Sequence, residues 1–277
     1  VNYRVVYSND GVLTDLSLDI NNLYGGDSSF TFIAAEDYLF LGSPYPFNSI
    51  YFKVKTAAVT NVIPSIDYWT GNEWVPSIEA QDETNGFKKS GYITWQINRF
   101  KSSWSREDTK HSGGGERVTG LGGVNIYDQY WARLKLSGDA VFALTWVGHC
   151  FITDNDLKTE YPEFKSSTLL GAVESGKTTW EEQIIRASRL VIEDLIQRRI
   201  ITNQSQILDR RKMESMTVSK TAEIIYNLLG DDYTDQRAAA NKEYMRRVDG
   251  QILSVDLNND GDLSLAEGRF RQGYLYQ

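Results

Sequence analysis

The stretch Thr178-Thr179-Trp180-Glu181-Glu182-Gln183-Ile184-Ile185-Arg186-Ala187-Ser188-Arg189-Leu190-Val191-Ile192-Glu193-Asp194-Leu195-Ile196-Gln197-Arg198-Arg199 divides the chain into two textures. Trp180, Ile184, Ala187, Val191 and Leu195 recur at helical spacing, and Ile185, Ile192 and Ile196 widen the stripe, which predicts a helix with one buried face. Thr178 with Glu181, or Thr179 with Glu182, supplies a capping box, and Arg198 and Arg199 complement the dipole at the far end. The same period continues towards the C-terminus. A second helix is expected from about Gln206 to Leu229, stopped by Gly230, and a third from about Thr234 through Ala238-Ala239-Ala240 to Val248. Asp209-Arg210-Arg211-Lys212 reads as a solvated helix face or as a basic contact patch.

On the N-terminal side the period falls to two. In Ser49-Ile50-Tyr51-Phe52-Lys53-Val54-Lys55, the residues Ile50, Phe52 and Val54 alternate with Tyr51, Lys53 and Lys55, which places one face in a core and the other in water. Ser65 to Trp69, the turn Thr70-Gly71-Asn72 and Glu73-Trp74-Val75 read as a hairpin. Gly91 to Ile97, Tyr130 to Leu136 and Asp139 to Trp146 repeat the alternation, so six to nine short strands in a sandwich are expected before Ile152. Ser102 to Gly123 carries Ser112-Gly113-Gly114-Gly115-Glu116 and Gly120-Leu121-Gly122-Gly123, and reads as a long flexible loop. Trp69, Trp74, Trp95 and Trp104 read as core or cross-strand pairs, with a sugar-stacking platform as the other reading.

The 277 residues allow about two domains, each with its own core. With 41% hydrophobic and 24% charged residues, wholesale disorder is not expected, and a net charge of -8 argues against a surface that coats nucleic acid. The single cysteine, Cys150, cannot form an internal disulfide; within Val147-Gly148-His149-Cys150-Phe151-Ile152 it reads as a small buried hydrophobe and suits a reducing cytoplasm. No run of 18 apolar residues occurs, and Val1-Asn2-Tyr3-Arg4 lacks a secretory pattern, so a soluble chain without a membrane partner is expected.

Two motifs carry chemistry. Gly171-Ala172-Val173-Glu174-Ser175-Gly176-Lys177-Thr178 matches the phosphate-loop spacing. That chemistry needs a buried parallel strand before the loop and a second strand carrying a magnesium-binding acid. Thr168-Leu169-Leu170 is too short for the first, and Leu190-Val191-Ile192-Glu193 lies inside the predicted helix, so a lead-in to that helix is expected. Asp256-Leu257-Asn258-Asn259-Asp260-Gly261-Asp262-Leu263-Ser264-Leu265-Ala266-Glu267 fits the twelve-residue calcium loop. Asp256, Asn258 and Asp260 stand at positions 1, 3 and 5, and Gly261 makes the turn. Asp262 gives its carbonyl, Ser264 binds directly or through water, and Glu267 binds with both oxygens. Such a hard-oxygen cage suits Ca2+, expected here as a structural ion that pins the C-terminal tail. His111 and His149 have no Ser or Cys motif beside them, so no enzyme is expected.

The segment Asp154 to Arg247 resembles the head-to-tail adaptor (connector) proteins of tailed bacteriophages. The likeness lies in Asn155-Asp156-Leu157-Lys158-Thr159-Glu160-Tyr161-Pro162, in Ile184 to Ile196 and in Thr221-Ala222-Glu223-Ile224-Ile225-Tyr226. The resemblance implies a virion structural protein at the neck, assembled in the host cytoplasm as a homododecameric ring. It implies portal and tail or stopper proteins as partners, and DNA that passes without sequence-specific binding. Aromatic-rich Phe270 to Tyr276 is a candidate docking tail. The other reading is a carbohydrate- or surface-binding β-sandwich module of a phage tail or secreted protein. The expected fold is α+β: a β-sandwich-like domain over 1–165, a helical adaptor domain over 166–253 and an EF-hand-like calcium tail over 254–277.

Overall fold

A computed structural model describes residues 3–34, 36–97, 104–107, 118–207 and 210–250, with the backbone of 252–253 and 270–271. The chain is α+β and divides into two compact units, Val1–Gly148 and His149–Gln277. The change of texture expected near residue 165 thus falls within the second unit, because a helix and turn over 154–165 pack with the helices that follow.

The first unit consists mainly of two antiparallel sheets. Its elements are β1 (Arg4–Asn9), β2 (Val12–Asp15), α1 (Ser17–Ile20), β3 (Ser28–Phe32), β4 (Tyr38–Ser43), β5 (Ser49–Thr56), β6 (Pro64–Trp69), β7 (Trp74–Pro76), β8 (Ile78–Asp82), β9 (Gly91–Gln96), β10 (Tyr130–Leu136) and β11 (Ala140–Gly148). One sheet has six strands in the order β2-β1-β4-β10-β6-β7, and the other five in the order β3-β11-β5-β9-β8. The expected hairpin is present: Trp69 pairs with Trp74 and Tyr68 with Val75, and Gly71 takes the left-handed conformation, φ +94°, that the turn requires.

Alternation sorts the side chains of each strand. On β10, Ala132, Leu134 and Leu136 enter a hydrophobic cluster with Phe30, Phe52 and Phe142 of the other sheet. Trp131, Arg133 and Lys135 alternate with them. Asp67 on β6, with its side chain 2% exposed, accepts from both Arg133 Nε and Lys135 Nζ at 2.8 Å. The Arg133 guanidinium lies 4.8 Å from the Tyr38 ring centre and 4.9 Å from that of Trp74.

Two expectations about this unit are corrected. Tyr51 is buried rather than solvated, because its ring meets Tyr92 edge-on at 4.9 Å. The glycine-rich segment Ser102 to Gly123 is anchored at both described ends. Trp104 joins the main cluster, Glu107 accepts from Trp69 Nε1 at 2.5 Å, and Val118 and Leu121 pack with Ile126, Val6, Phe40, Trp69 and Trp131 in a second cluster. The intervening 108–117, including the triple glycine and His111, lies outside the described residues.

The second unit holds α2 (Asp154–Glu160), α3 (Ser167–Val173), α4 (Glu181–Gln197), α5 (Arg211–Leu229), α6 (Thr234–Gly250) and a two-stranded ladder, β12 (Ile252–Leu253) with β13 (Phe270–Arg271). The stripe on α4 is buried over Ile184, Ile185, Ala187, Val191, Ile192 and Leu195, whereas Ile196, expected to widen it, is 40% exposed near the end of the helix. Its start differs. No side-chain capping bond forms at the first turn, and Trp180, the cap residue, donates its backbone N–H to Asp154 Oδ1 at 2.8 Å. A residue 26 positions away replaces the local box. Helix α5 packs against α2, α3, α4 and α6 and ends at Gly230, where φ is +94°. Among the described residues no helix is long and apolar enough to cross a membrane.

Candidate functional site

The six residues read as calcium ligands, Asp256, Asn258, Asp260, Asp262, Ser264 and Glu267, lie outside the described residues. What the structure places is the frame around them. Helix α6 ends at Gly250, and Ile252 then pairs with Arg271 and Leu253 with Phe270, so the backbone closes on itself at both ends of 254–269. Paired strands, rather than the two helices of an EF-hand, flank the segment immediately. Among the described residues no group of three or more His, Cys, Asp or Glu is positioned to hold a metal ion.

The phosphate-loop match takes no phosphate-loop shape. Gly171 lies within α3, no strand precedes it in this unit, and Val191 and Ile192 are buried on α4. Lys177, with its side chain only 7% exposed, is held by Glu182 at 3.3 Å and Glu174 at 3.7 Å. The cation that would meet a phosphate is already neutralised. The residues of a sugar platform are also spent: Trp69, Trp95 and Trp104 are buried, and half-buried Trp74 donates Nε1 to the Thr119 carbonyl. In the basic run, Arg210 turns inward to the Phe151 carbonyl and to Glu214. Cys150 is buried, as expected of a small hydrophobe.

A site that sequence reasoning missed lies on the helical unit. Arg186 and Leu190 of α4, Lys220, Glu223, Ile224, Asn227 and Leu228 of α5, and Arg237 of α6 line a groove of about 340 Å³. Helical spacing builds its walls. Residues 186 and 190 are one turn apart, and 220, 224 and 228 stack along α5. Lys220 Nζ bonds Glu223 at 2.9 Å and lies 4.9 Å from the centre of the Tyr244 ring, so that pair is internally neutral. Arg237 Nη1 donates to the neutral amide oxygen of Asn227 at 2.9 Å. Neither Arg186 nor Arg237 has an ion pair among the described residues, which leaves two uncompensated positive charges beside Leu190, Ile224 and the exposed Leu228. No local motif marks these residues. Their convergence depends on three helices.

A denser polar network holds α6. Glu243 accepts from Arg247 Nε at 2.7 Å and from both Arg246 Nε and Nη2, while Arg247 Nη1 donates to the Ser215 carbonyl on α5. Hydrogen bonds from Arg246 and Arg247 hold the Glu243 carboxyl at about 2. The sign follows from that depression. The contribution of this group is complete above the ordinary glutamate value of 4.5 and is lost as pH falls towards about 2. Carboxyl-carbon NMR should therefore find Glu243 still ionised at pH 3.5, and a midpoint near 4.5 would show that the arginine contacts do not form in solution.

No protein-family model matches the chain, and no curated protein is significantly similar to it.

Proposed function

We propose that the protein is a structural component of a tailed-phage virion, a head-to-tail adaptor that forms a ring of about twelve copies between portal and tail. The observation that carries the reading is the organisation of the segment that resembles the adaptors. Asn155 to Pro162, Ile184 to Ile196 and Thr221 to Tyr226 fall on α2 and the turn after it, on α4 and on α5, within one compact helical unit. Helix α5 supplies its centre. DNA passes through the ring without sequence-specific contacts, and the portal and the tail or stopper proteins are the neighbours. In this reading the two sheets of the first unit stack as a sandwich. It is supported by the single hydrophobic cluster that draws on both sheets. Electron microscopy of the full chain, alone and mixed with its portal protein, tests the reading. A ring or a portal complex is expected, and a persistent monomer that never co-purifies with portal would remove it.

The reading includes a structural Ca2+ held by Asp256, Asn258, Asp260, Asp262, Ser264 and Glu267, supported by the loop spacing and by the ladder that draws the ends of 254–269 together. Bound calcium orders the C-terminal tail for docking. Titration into chelator-stripped protein should release heat with one ion per chain, and Asp256→Ala with Glu267→Gln should abolish it. No heat at calcium of about 1 mM would sink the assignment.

A further inference from the structure

We propose that the groove between α4, α5 and α6 seats an acidic, amphipathic helical segment of a partner protein. Three observations converge on that chemistry, and none depends on the adaptor reading. First, charge: Lys220 and Glu223 satisfy each other, while Arg186 and Arg237 face the groove with no carboxylate partner among the described residues. In a chain whose net charge is -8, a concave site with two guanidinium groups that have no carboxylate partner among the described residues is complementary to carboxylates. Second, surface: Leu190, Ile224 and Leu228 give the groove an apolar strip, and Leu228 is 45% exposed. Third, spacing: from Lys220 to Leu228 the wall runs about 12 Å, two turns of helix, which matches a ligand presenting apolar residues three and four apart.

The combination separates this ligand from two others. A nucleic-acid backbone would satisfy the arginines but not the apolar strip of Leu190, Ile224 and Leu228. A purely apolar helix would leave both guanidinium charges uncompensated. Carboxylates bonded to Arg186 and Arg237, with aliphatic side chains on Leu190, Ile224 and Leu228, use both the cationic and the apolar groups that line the site. The segment binds as a helix laid into a groove between helices.

The test uses the full chain and a fluorescein-labelled, end-blocked helical peptide with Leu at alternating three- and four-residue spacings and Glu elsewhere, read by fluorescence anisotropy. Saturable binding is expected, weakened about tenfold or more by Arg186→Glu with Arg237→Glu, and to a similar extent by Leu228→Asp. A matched peptide with Lys for Glu should bind at least about tenfold more weakly. All three substituted side chains are exposed or half-buried, and unchanged thermal melting of the variants shows that the fold is intact. The proposal is overturned by an absence of saturation, by equal affinity for the lysine peptide, or by folded variants that bind like the parent. Tighter binding of a labelled DNA duplex, lost in the arginine variant, would overturn it in favour of a nucleic-acid site. Self-association in sedimentation that only the parent shows, and that the peptide does not compete, would overturn it in favour of a second copy of the chain.

Discussion

Replacing Gly86 with alanine is expected to destabilise the strand-rich unit by about 3 kcal/mol or more, among the largest effects of any single methyl group in the molecule. The backbone over Asn85, Gly86 and Phe87 makes a left-handed turn, with φ of +54°, +67° and +61°. Left-handed conformation costs a residue with a Cβ about 1–2 kcal/mol. Space adds a larger penalty, because a Cβ at position 86 would sit 2.3 Å from the Val62 carbonyl oxygen. The turn cannot move aside. Asp82 accepts from the Gly86 N–H at 2.7 Å and the Thr84 N–H at 2.8 Å, while Phe87 stacks on Phe142 at 4.4 Å and meets Phe52 edge-on at 5.3 Å. The positive φ at Phe87 is the strain that delivers this ring into the core. Six of the seven tryptophans lie in this unit, so fluorescence-detected denaturant unfolding reports on it. A midpoint equal to that of the parent would show that the turn relaxes in solution.

Replacing Trp180 with alanine is expected to cost the helical unit about 4 kcal/mol, which lowers its melting temperature by about 10–20 °C. The side chain is fully buried, donates Nε1 to the Phe164 carbonyl at 2.9 Å and packs on the Phe164 ring at 5.7 Å. Phe164 in turn meets Tyr226 of α5 at 5.2 Å, and the Tyr226 hydroxyl donates to Glu163 at 2.7 Å. Removing the indole therefore opens a cavity where α2, the turn after it, α4 and α5 meet. Trp180→Phe keeps most of the volume and loses the N–H bond, so a loss of about 1–2 kcal/mol is expected. Far-ultraviolet circular dichroism follows the helices, while the remaining tryptophans report on the other unit. An alanine variant that melts like its phenylalanine counterpart would mean the cavity collapses at no cost.

These two positions mark the limits of what the sequence discloses. Ile184, Val191 and Leu195 announce α4 because helix and burial share one period, and the Tyr68–Val75 hairpin announces itself through alternation and Gly71. The start of α4 lacks the expected local box because the Trp180 N–H is met by Asp154, a contact made in space. Val118 and Leu121 fall within the stretch that reads as a glycine-rich loop, since their partners Phe40, Trp69 and Trp131 stand on strands. Helices α2 and α3 are seven residues each, too short for a period to show. The groove depended on burial and pairing: the sequence has many arginines, but only the fold separates Arg186 and Arg237 from those spent on carboxylates. The motif from Asp256 to Glu267 is the reverse case: its signal is entirely local, and the calcium proposed for it rests on that spacing.

The strand orders also set a timetable for synthesis. In the six-stranded sheet, β10 is the strand that joins β2-β1-β4 to β6-β7; in the five-stranded sheet, β11 joins β3 to β5-β9-β8. Both are the last strands of their unit to leave the ribosome. Until residue 136 has emerged the six-stranded sheet is two disconnected pieces with raw edges, and until residue 148 has emerged so is the five-stranded one. The nascent unit therefore completes its two sheets late and in succession, first with β10 and then with β11. Its most aggregation-prone interval ends as the helical unit begins to be made.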